Sequence, residues 1–352
     1  MQLLNARGKA FRPPGFRSPS LISRPPVAFY KHARGGALIK IRIQLNNISS
    51  LVLALALVIG IALSSASCAR SRPQAIDTSN FSRVTDEAGR TISLPHPVTR
   101  FVSLAPNLTE MVFALNAGDG LVGRTTYCNY PAEAQRVETV GDTLKPSIER
   151  IIALKPQVVF VSTASQLEAF TSELEAHQIA VYVTDSHDLE GVFRSMRRIA
   201  ELLGKQAEAD ALLQQLNARV KAVEERVTAR PPVRVFYQVS DEPLYTIGRD
   251  AFITDLLKRA GGISVTAEVP GAWPKFSAES ALAARPEAII LPTGGSMGNA
   301  NSNIAAALKQ SPAAIHGRIY KINDDHLSRP GPRSVDGLEE LARALHPEVF
   351  GK

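Results

Sequence analysis

Short aliphatic runs alternate along the chain with stretches whose apolar positions recur three and four apart. "RFVSL" (100–104) reads as a buried strand, and "PNLTEMVFALNAG" (106–118) as a helix. In that helix Asn107 and Glu110 have capping-box spacing, and Gly118 is the expected stop. The series continues with strand "LVGRT", helix "SIERIIAL", strand "QVVFVS", helix "QLEAFTSELEAH" and strand "IAVYVT", which ends at Thr184. Strands separated by helical segments predict parallel βα units.

Residues 188–230 break the rhythm. "DLEGVFRSMRRIAELLG" and "KQAEADALLQQLNARVKAVEERVTA" are helical and free of proline, with Gly204 between them and Pro231-Pro232 as the stop. A second series follows: strand "VRVFYQV", helix "FITDLLKRAGG", helix "SAESALAA", strand "EAIILP", helix "NIAAALKQ", strand "RIYKI" and helix "RSVDGLEELARAL". The predicted plan is an N-terminal α/β lobe over 98–187, a long connecting helical region over 188–230 and a C-terminal α/β lobe over 231–352.

One phrase occurs in both lobes. "PSIERIIALKPQVVFVS" (146–162) matches "FSAESALAARPEAIILPT" (276–293) at Ser147/Ser277, Glu149/Glu279, Ala153/Ala283 and Pro156/Pro286. Each serine is placed to cap a helix, which sets Glu149 and Glu279 in first turns, exposed and facing the positive end of the helix dipole. Taken singly, each glutamate needs no role beyond its own helix. Two acids at equivalent sites of two lobes also suit docking onto a two-fold partner with basic pockets.

Net charge is +7 over 352 residues, but the excess is confined to one end. No acidic residue precedes Asp77, and removing residues 1–67 leaves 31 basic against 33 acidic residues. The basic balance therefore belongs to a leader, and a nucleic-acid partner is not expected. Lys40 and Arg42, the apolar run "LVLALALVIGIAL" (51–63) and small residues before Cys68 predict an export signal with a long basic n-region. The apolar run is shorter than the roughly 20 residues a spanning helix needs. "SSASC" is similar to a lipobox with Ser65 at its poorest position, so Cys68 is the expected lipidation site; cleavage near Ala66 without lipid is the alternative. Residues 68–97 then form a tether and lead-in strand. Cys128 is the only other cysteine, so a disulfide framework is not expected.

Two catalytic-looking motifs weaken on inspection. "GDGLVG" (118–123) follows a helix and precedes a strand, the reverse of a dinucleotide fingerprint. "GGSMG" (294–298) sits between strand and helix and makes a serine hydrolase using Ser296 the remoter reading. Its acid and base would have to come from Asp324, Asp325 and His326, which are adjacent in one loop. The seven histidines show no metal-ligand spacing.

From about Ser82 to His346 the chain resembles the helical-backbone periplasmic binding proteins that serve ABC importers of cobalamin, ferric siderophores and haem. The motifs that carry the resemblance are "RFVSLAPNLTEMVFALNAGDGLVGRTTYCNYP", "IERIIALKPQVVF", "SAESALAARPEAIIL" and "RPGPRSVDGLEELARALHPE". It implies a class III fold: α/β, with two lobes of mainly parallel sheets joined by a long rigid helix and a ligand between them. It also implies a monomeric binding protein rather than an enzyme, exported to the periplasm and serving a permease dimer with its ATPase. Glu149 and Glu279 align with the family's permease-docking acids.

"TTYCNYP" is most similar to the cobalamin-binding branch, with a ferric siderophore or haem as the alternative ligand. By that alignment Tyr127 and Trp273 are ligand-facing aromatics, Asp325 and Arg329 supply polar contacts, and Tyr245 is a weaker candidate. Two aromatic positions of the cobalamin branch are Thr143 and Ser162 here, so that cage is incomplete. No resident cofactor or metal is implied; the chelate is cargo.

Overall fold

The computed structural model describes residues 81–143, 145–162, 168–294 and 303–351. The expected leader, Cys68 and Ser296 lie outside the described residues. An antiparallel pair comes first, β1 (Phe81–Thr85) with β2 (Thr91–Pro95), where a tether and lead-in strand were expected. Its turn is held by Asp86, which accepts from the backbone N–H groups of Ala88 and Arg90 and pairs with the Arg90 guanidinium.

The first lobe continues through β3 (Phe101–Ser103), α1 (Pro106–Ala114), β4 (Leu121–Arg124), α2 (Ile148–Leu154), β5 (Val158–Ser162), α3 (Glu168–Ala176) and β6 (Ala180–Thr184). Its four strands run in the order β4-β3-β5-β6, and every pairing is parallel. Two helices then lead out: α4 (Leu189–Leu203) and the 22-residue α5 (Gln206–Val227). Asp188 caps α4 by accepting from Gly191 N at 2.6 Å, and Gly204 closes it at φ 67°, a left-handed conformation that glycine adopts without a Cβ penalty.

The second lobe comprises β7 (Val233–Asp241), β8 (Leu244–Thr246), α6 (Phe252–Arg259), β9 (Gly262–Ser264), α7 (Ala278–Ala283), β10 (Ala288–Thr293), α8 (Pro312–Ile315), β11 (Ile319–Asn323), α9 (Asp324–Leu327), α10 (Ser334–Leu345) and α11 (Pro347–Phe350). Strands β11, β10, β7 and β9 pair in parallel, and β8 returns antiparallel along the end of β7. The helix expected at 303–310 is a 3-10 turn over Ala306–Gln310. Its register is fixed by Gln238, which donates to Asn303 O and accepts from Ala305 N.

Strand alternation sorts side chains between layers. Phe101, Val158 and Phe160 point to one face of the first sheet, while Val102, Val159 and Val161 point to the other. In the second sheet Val235, Tyr237 and Ile290 divide in the same way from Phe236, Ile289 and Leu291. The inner faces belong to one apolar cluster that runs through Met196 and Ile199 of α4 and Leu213, Leu216 and Val220 of α5 to Leu338 and Leu341 of α10. Both sheets are thus built onto a shared helical spine.

The repeated phrase folds alike in both lobes. Ser147 accepts from Arg150 N and Ser277 from Ser280 N, the expected caps. Lys155 and Arg285 end the two helices at φ 47° and 46°, and each is followed by a proline that blocks continuation. The glutamates are both exposed but not equivalent. Ser147 Oγ donates to Glu149 at 2.9 Å and this, behind a backbone hydrogen bond, holds that carboxyl below its usual range. In the second copy the serine donates instead to Ser280 Oγ.

Candidate functional site

Pro106 opens α1 at its first position and Ala105 stands at the N-cap without a side-chain cap. This moves Asn107 and Glu110 inside the helix, so the expected capping box does not form. Both side chains instead reach the second lobe. Asn107 Nδ2 donates to Pro330 O at 3.1 Å, and Glu110, only 3% exposed, receives two guanidiniums. Arg333 binds it as a fork, Nε to Oε2 at 2.9 Å and Nη2 to Oε1 at 2.5 Å; Arg329 Nη1 reaches Oε1 at 3.1 Å. Three charge-assisted bonds from the other lobe thus hold Glu110 where a local cap would have held it with one. The expected stop at Gly118 also shifts: α1 ends at Ala114, and Asn116 takes the positive φ of 52°.

Asp325 and Arg329 are brought together at 2.8 Å, one helical turn apart, at 8% and 7% exposure. Arg329 Nη1 also donates to Asn129 Oδ1 at 2.8 Å, which ties the second lobe to the loop carrying Tyr127. Arg333 lies over the Tyr130 ring at 4.0 Å, and its second carboxylate neighbour, Asp325, is 3.8 Å away. Burial opposes the charge on Arg333, but Glu110 and Asp325 outweigh it and hold the guanidinium above its usual range. The loop itself is anchored by Arg124 at the end of β4, which donates to the carbonyls of Ala134, Thr125 and Gln135. Cys128 is buried in this loop, with its sulfur 3.2 Å from Thr125 Oγ1.

Tyr245 and Trp273 form a second group. Thr246 N donates to Pro274 O and Gly248 N to Ala272 O, which lays the Trp273 segment along the edge strand β8. That approach requires glycine, because a Cβ on Gly248 would stand 2.2 Å from Gly271 O. Tyr127, Tyr245 and Trp273 are 42%, 37% and 48% exposed, large apolar faces left in solvent. Among the described residues, Tyr127 and Trp273 share no ring contact, so the two groups remain separate aromatic faces.

Sequence reasoning does not single out Arg333, Asn129 or Tyr130, and it reads Glu110 only as half of a capping box. Arg333 had a readable signal, standing four residues after Arg329 in "RPGPR". His326 pairs with Glu340 at 2.8 Å, and no group of three metal-ligating side chains occurs among the described residues. None of the described helices is long and apolar enough to cross a membrane.

Three comparisons bear on this arrangement. Residues 101–326 match the periplasmic binding protein family. The uncharacterized ABC transporter substrate-binding lipoprotein YvrC of Bacillus subtilis is 30% identical over 274 residues, covering 76% of this chain and 86% of that protein. A vitamin B12-binding protein of Vibrio cholerae is 24% identical over 255 residues, 72% of this chain and 91% of that one. Among solved structures, the periplasmic vitamin B12-binding protein BtuF of Vibrio cholerae and the apo form of the periplasmic haem-binding protein RhuT from Roseiflexus sp. RS-1 each superpose with a TM-score of 0.64 at 24% identity. Each covers 72% of this chain and 99% of its own.

Proposed function

The chain belongs to the periplasmic binding protein family and has that family's two-lobed class III fold, and from this premise we propose that it captures a corrinoid for an ABC importer. Its members are exported binding proteins rather than enzymes, so the hydrolase reading of Ser296 gives way. The ligand sits between the lobes and is handed to a membrane permease driven by its ATPase.

The observation that supports a corrinoid is the set of exposed aromatic faces, Tyr127 in the first lobe and Tyr245 and Trp273 in the second. Rigid rings bury a large area of a flat macrocycle at little rotamer cost, and the macrocycle's amide rim needs only a few polar partners. Asp325 and Arg329 supply the polar floor between the rings. Glu149 and Glu279 dock on the permease, and a lipid on Cys68 tethers the otherwise monomeric protein to the membrane.

The test is calorimetry of the full chain in detergent with cyanocobalamin, haem and a panel of ferric siderophores. One-to-one binding of cyanocobalamin is expected. Binding of haem or a siderophore with none of cyanocobalamin would replace the corrinoid with that ligand.

A further inference from the structure

Two arginines at a lobe junction normally advertise a site for carboxylates or phosphates. Here both are already taken. Glu110 holds Arg333 as a fork and Arg329 through Nη1, and Asp325 holds Arg329 at 2.8 Å. Two guanidiniums and two carboxylates sum to no net charge, and all four groups are largely buried. The cluster reaches the exposed aromatics through Arg333, stacked 4.0 Å from the Tyr130 ring, and through Asn129 in the Tyr127 loop.

We propose that Glu110 is a specificity-determining residue: a built-in counter-anion that occupies both arginines and makes the cleft discriminate against ligands bearing carboxylates. This rests on the reading of the exposed aromatics as the ligand face. An incoming carboxylate must displace Glu110 from Arg333, which strands an acid already out of water, or approach Glu110 and Asp325 as a like charge. Both routes are unfavourable, because a buried charge deprived of its partner cannot recover its hydration. A ligand rimmed with neutral amides does neither. It accepts and donates at the margin of the cluster and leaves the ion pairs intact. Glu110 touches no substrate atom in this scheme; it acts through Arg329 and Arg333.

The experiment compares ligands that differ only in charge. Cyanocobalamin and its e-monocarboxylic acid, in which one amide becomes a carboxylate, are titrated into the full chain in detergent. The wild type is expected to prefer the neutral ligand by at least about ten-fold, from the penalty of unpairing a buried ion. Glu110→Gln keeps an acceptor for Arg333 but removes the charge, and should cut that preference to about three-fold or less as the arginines become available to the ligand acid. The preference ratio is the readout, since a merely structural role would weaken both ligands together. Equal wild-type affinities, or a ratio unmoved in Glu110→Gln, overturns the proposal. The wild-type ratio does not depend on the variant folding. Should cyanocobalamin not bind at all, the corrinoid reading fails by itself, and the same ratio is read with haem against its bis-amide.

Discussion

Arg100 and Arg234 do the same work in the two lobes. Each sends its guanidinium to the last turn of the repeated helix, Arg100 Nε to Leu154 O at 2.7 Å and Arg234 Nη2 to Ala284 O at 2.6 Å. Each also clasps the residue that immediately precedes the next strand. Gln157 N donates to Arg100 O and its Oε1 accepts from Arg100 N; Glu287 repeats both bonds with Arg234. The repeat is therefore longer than the phrase that reveals it, and includes an arginine at the start of a central strand in each lobe, Arg100 just before β3 and Arg234 as the second residue of β7.

Gln157 accepts from the backbone N–H groups of both Thr99 and Arg100. Gln157→Leu is expected to cost about 0.5–1.5 kcal/mol, because those exposed donors exchange their acceptor for water and only the net worth of the bonds is lost. Glu287→Gln keeps an acceptor for Arg234 N and should fall within about 0.5 kcal/mol of the parent, as for most surface changes. Urea midpoints of the two variants give the comparison, and a Gln157→Leu midpoint equal to that of Glu287→Gln would refute it.

Glu110→Ala should be among the most disruptive single changes in the molecule. It leaves Arg329 and Arg333 facing a void between lobes, and breaking a buried pair typically costs about 3–5 kcal/mol. Thermal unfolding should show the loss. Arg333→Ala should cost less, since Arg329 remains on Glu110 at 3.1 Å.

Trp273 is the sole tryptophan, so intrinsic fluorescence reports on its loop alone. Ligand capture should shift or quench that emission, and Gly248→Ala should abolish the response by forcing the Trp273 segment off β8. An overpacked contact of this kind costs about 1–3 kcal/mol. Emission that ignores a bound ligand would place Trp273 outside the site.

Two acids make opposite pH predictions. Burial raises the carboxyl of Asp324, which accepts a hydrogen bond from Ser328 Oγ, while Arg219 lowers that of Glu339. The folded state binds the Asp324 proton more tightly, so that contribution is full below the unfolded value near 3.9 and is lost as pH rises through the raised folded value. Asp324→Asn should remove this decline in an equilibrium stability profile. Glu339 contributes above its unfolded value near 4.3 and loses that contribution as pH falls through the depressed one. Glu339→Gln should flatten the acid limb instead.

If Glu149 and Glu279 are docking acids, the double alanine variant should keep its ligand affinity and lose permease association. The loss should exceed about ten-fold if both meet desolvated basic partners. Permease binding in nanodiscs measures it; wild-type docking by the double variant would reduce both residues to helix stabilisers.

Much of the scaffold was legible because its signals are periodic. Aliphatic runs bounded by prolines mark β5 and β10, and the proline-free stretch after Asp188 marks α4 and α5. Strands β8 and β9 were not legible: three residues carry no period, and their pairing is set by neighbours on β7. The site was half legible. Exposed aromatics in loops stand out in a sequence, whereas Glu110 looks like a cap until Arg329 and Arg333 arrive from the far end of the chain.

The apolar cluster that passes from Phe101 through the helical spine to Leu345 has a mechanical consequence. A wide swing of one sheet against the other would tear side chains such as Met196, Leu213 and Leu338 out of contact, at about 25 cal/mol for each Å² exposed. The protein therefore behaves as a stiff caliper. If cargo binds between the two sheets as proposed, the jaws are set to one gauge beforehand and capture needs little work.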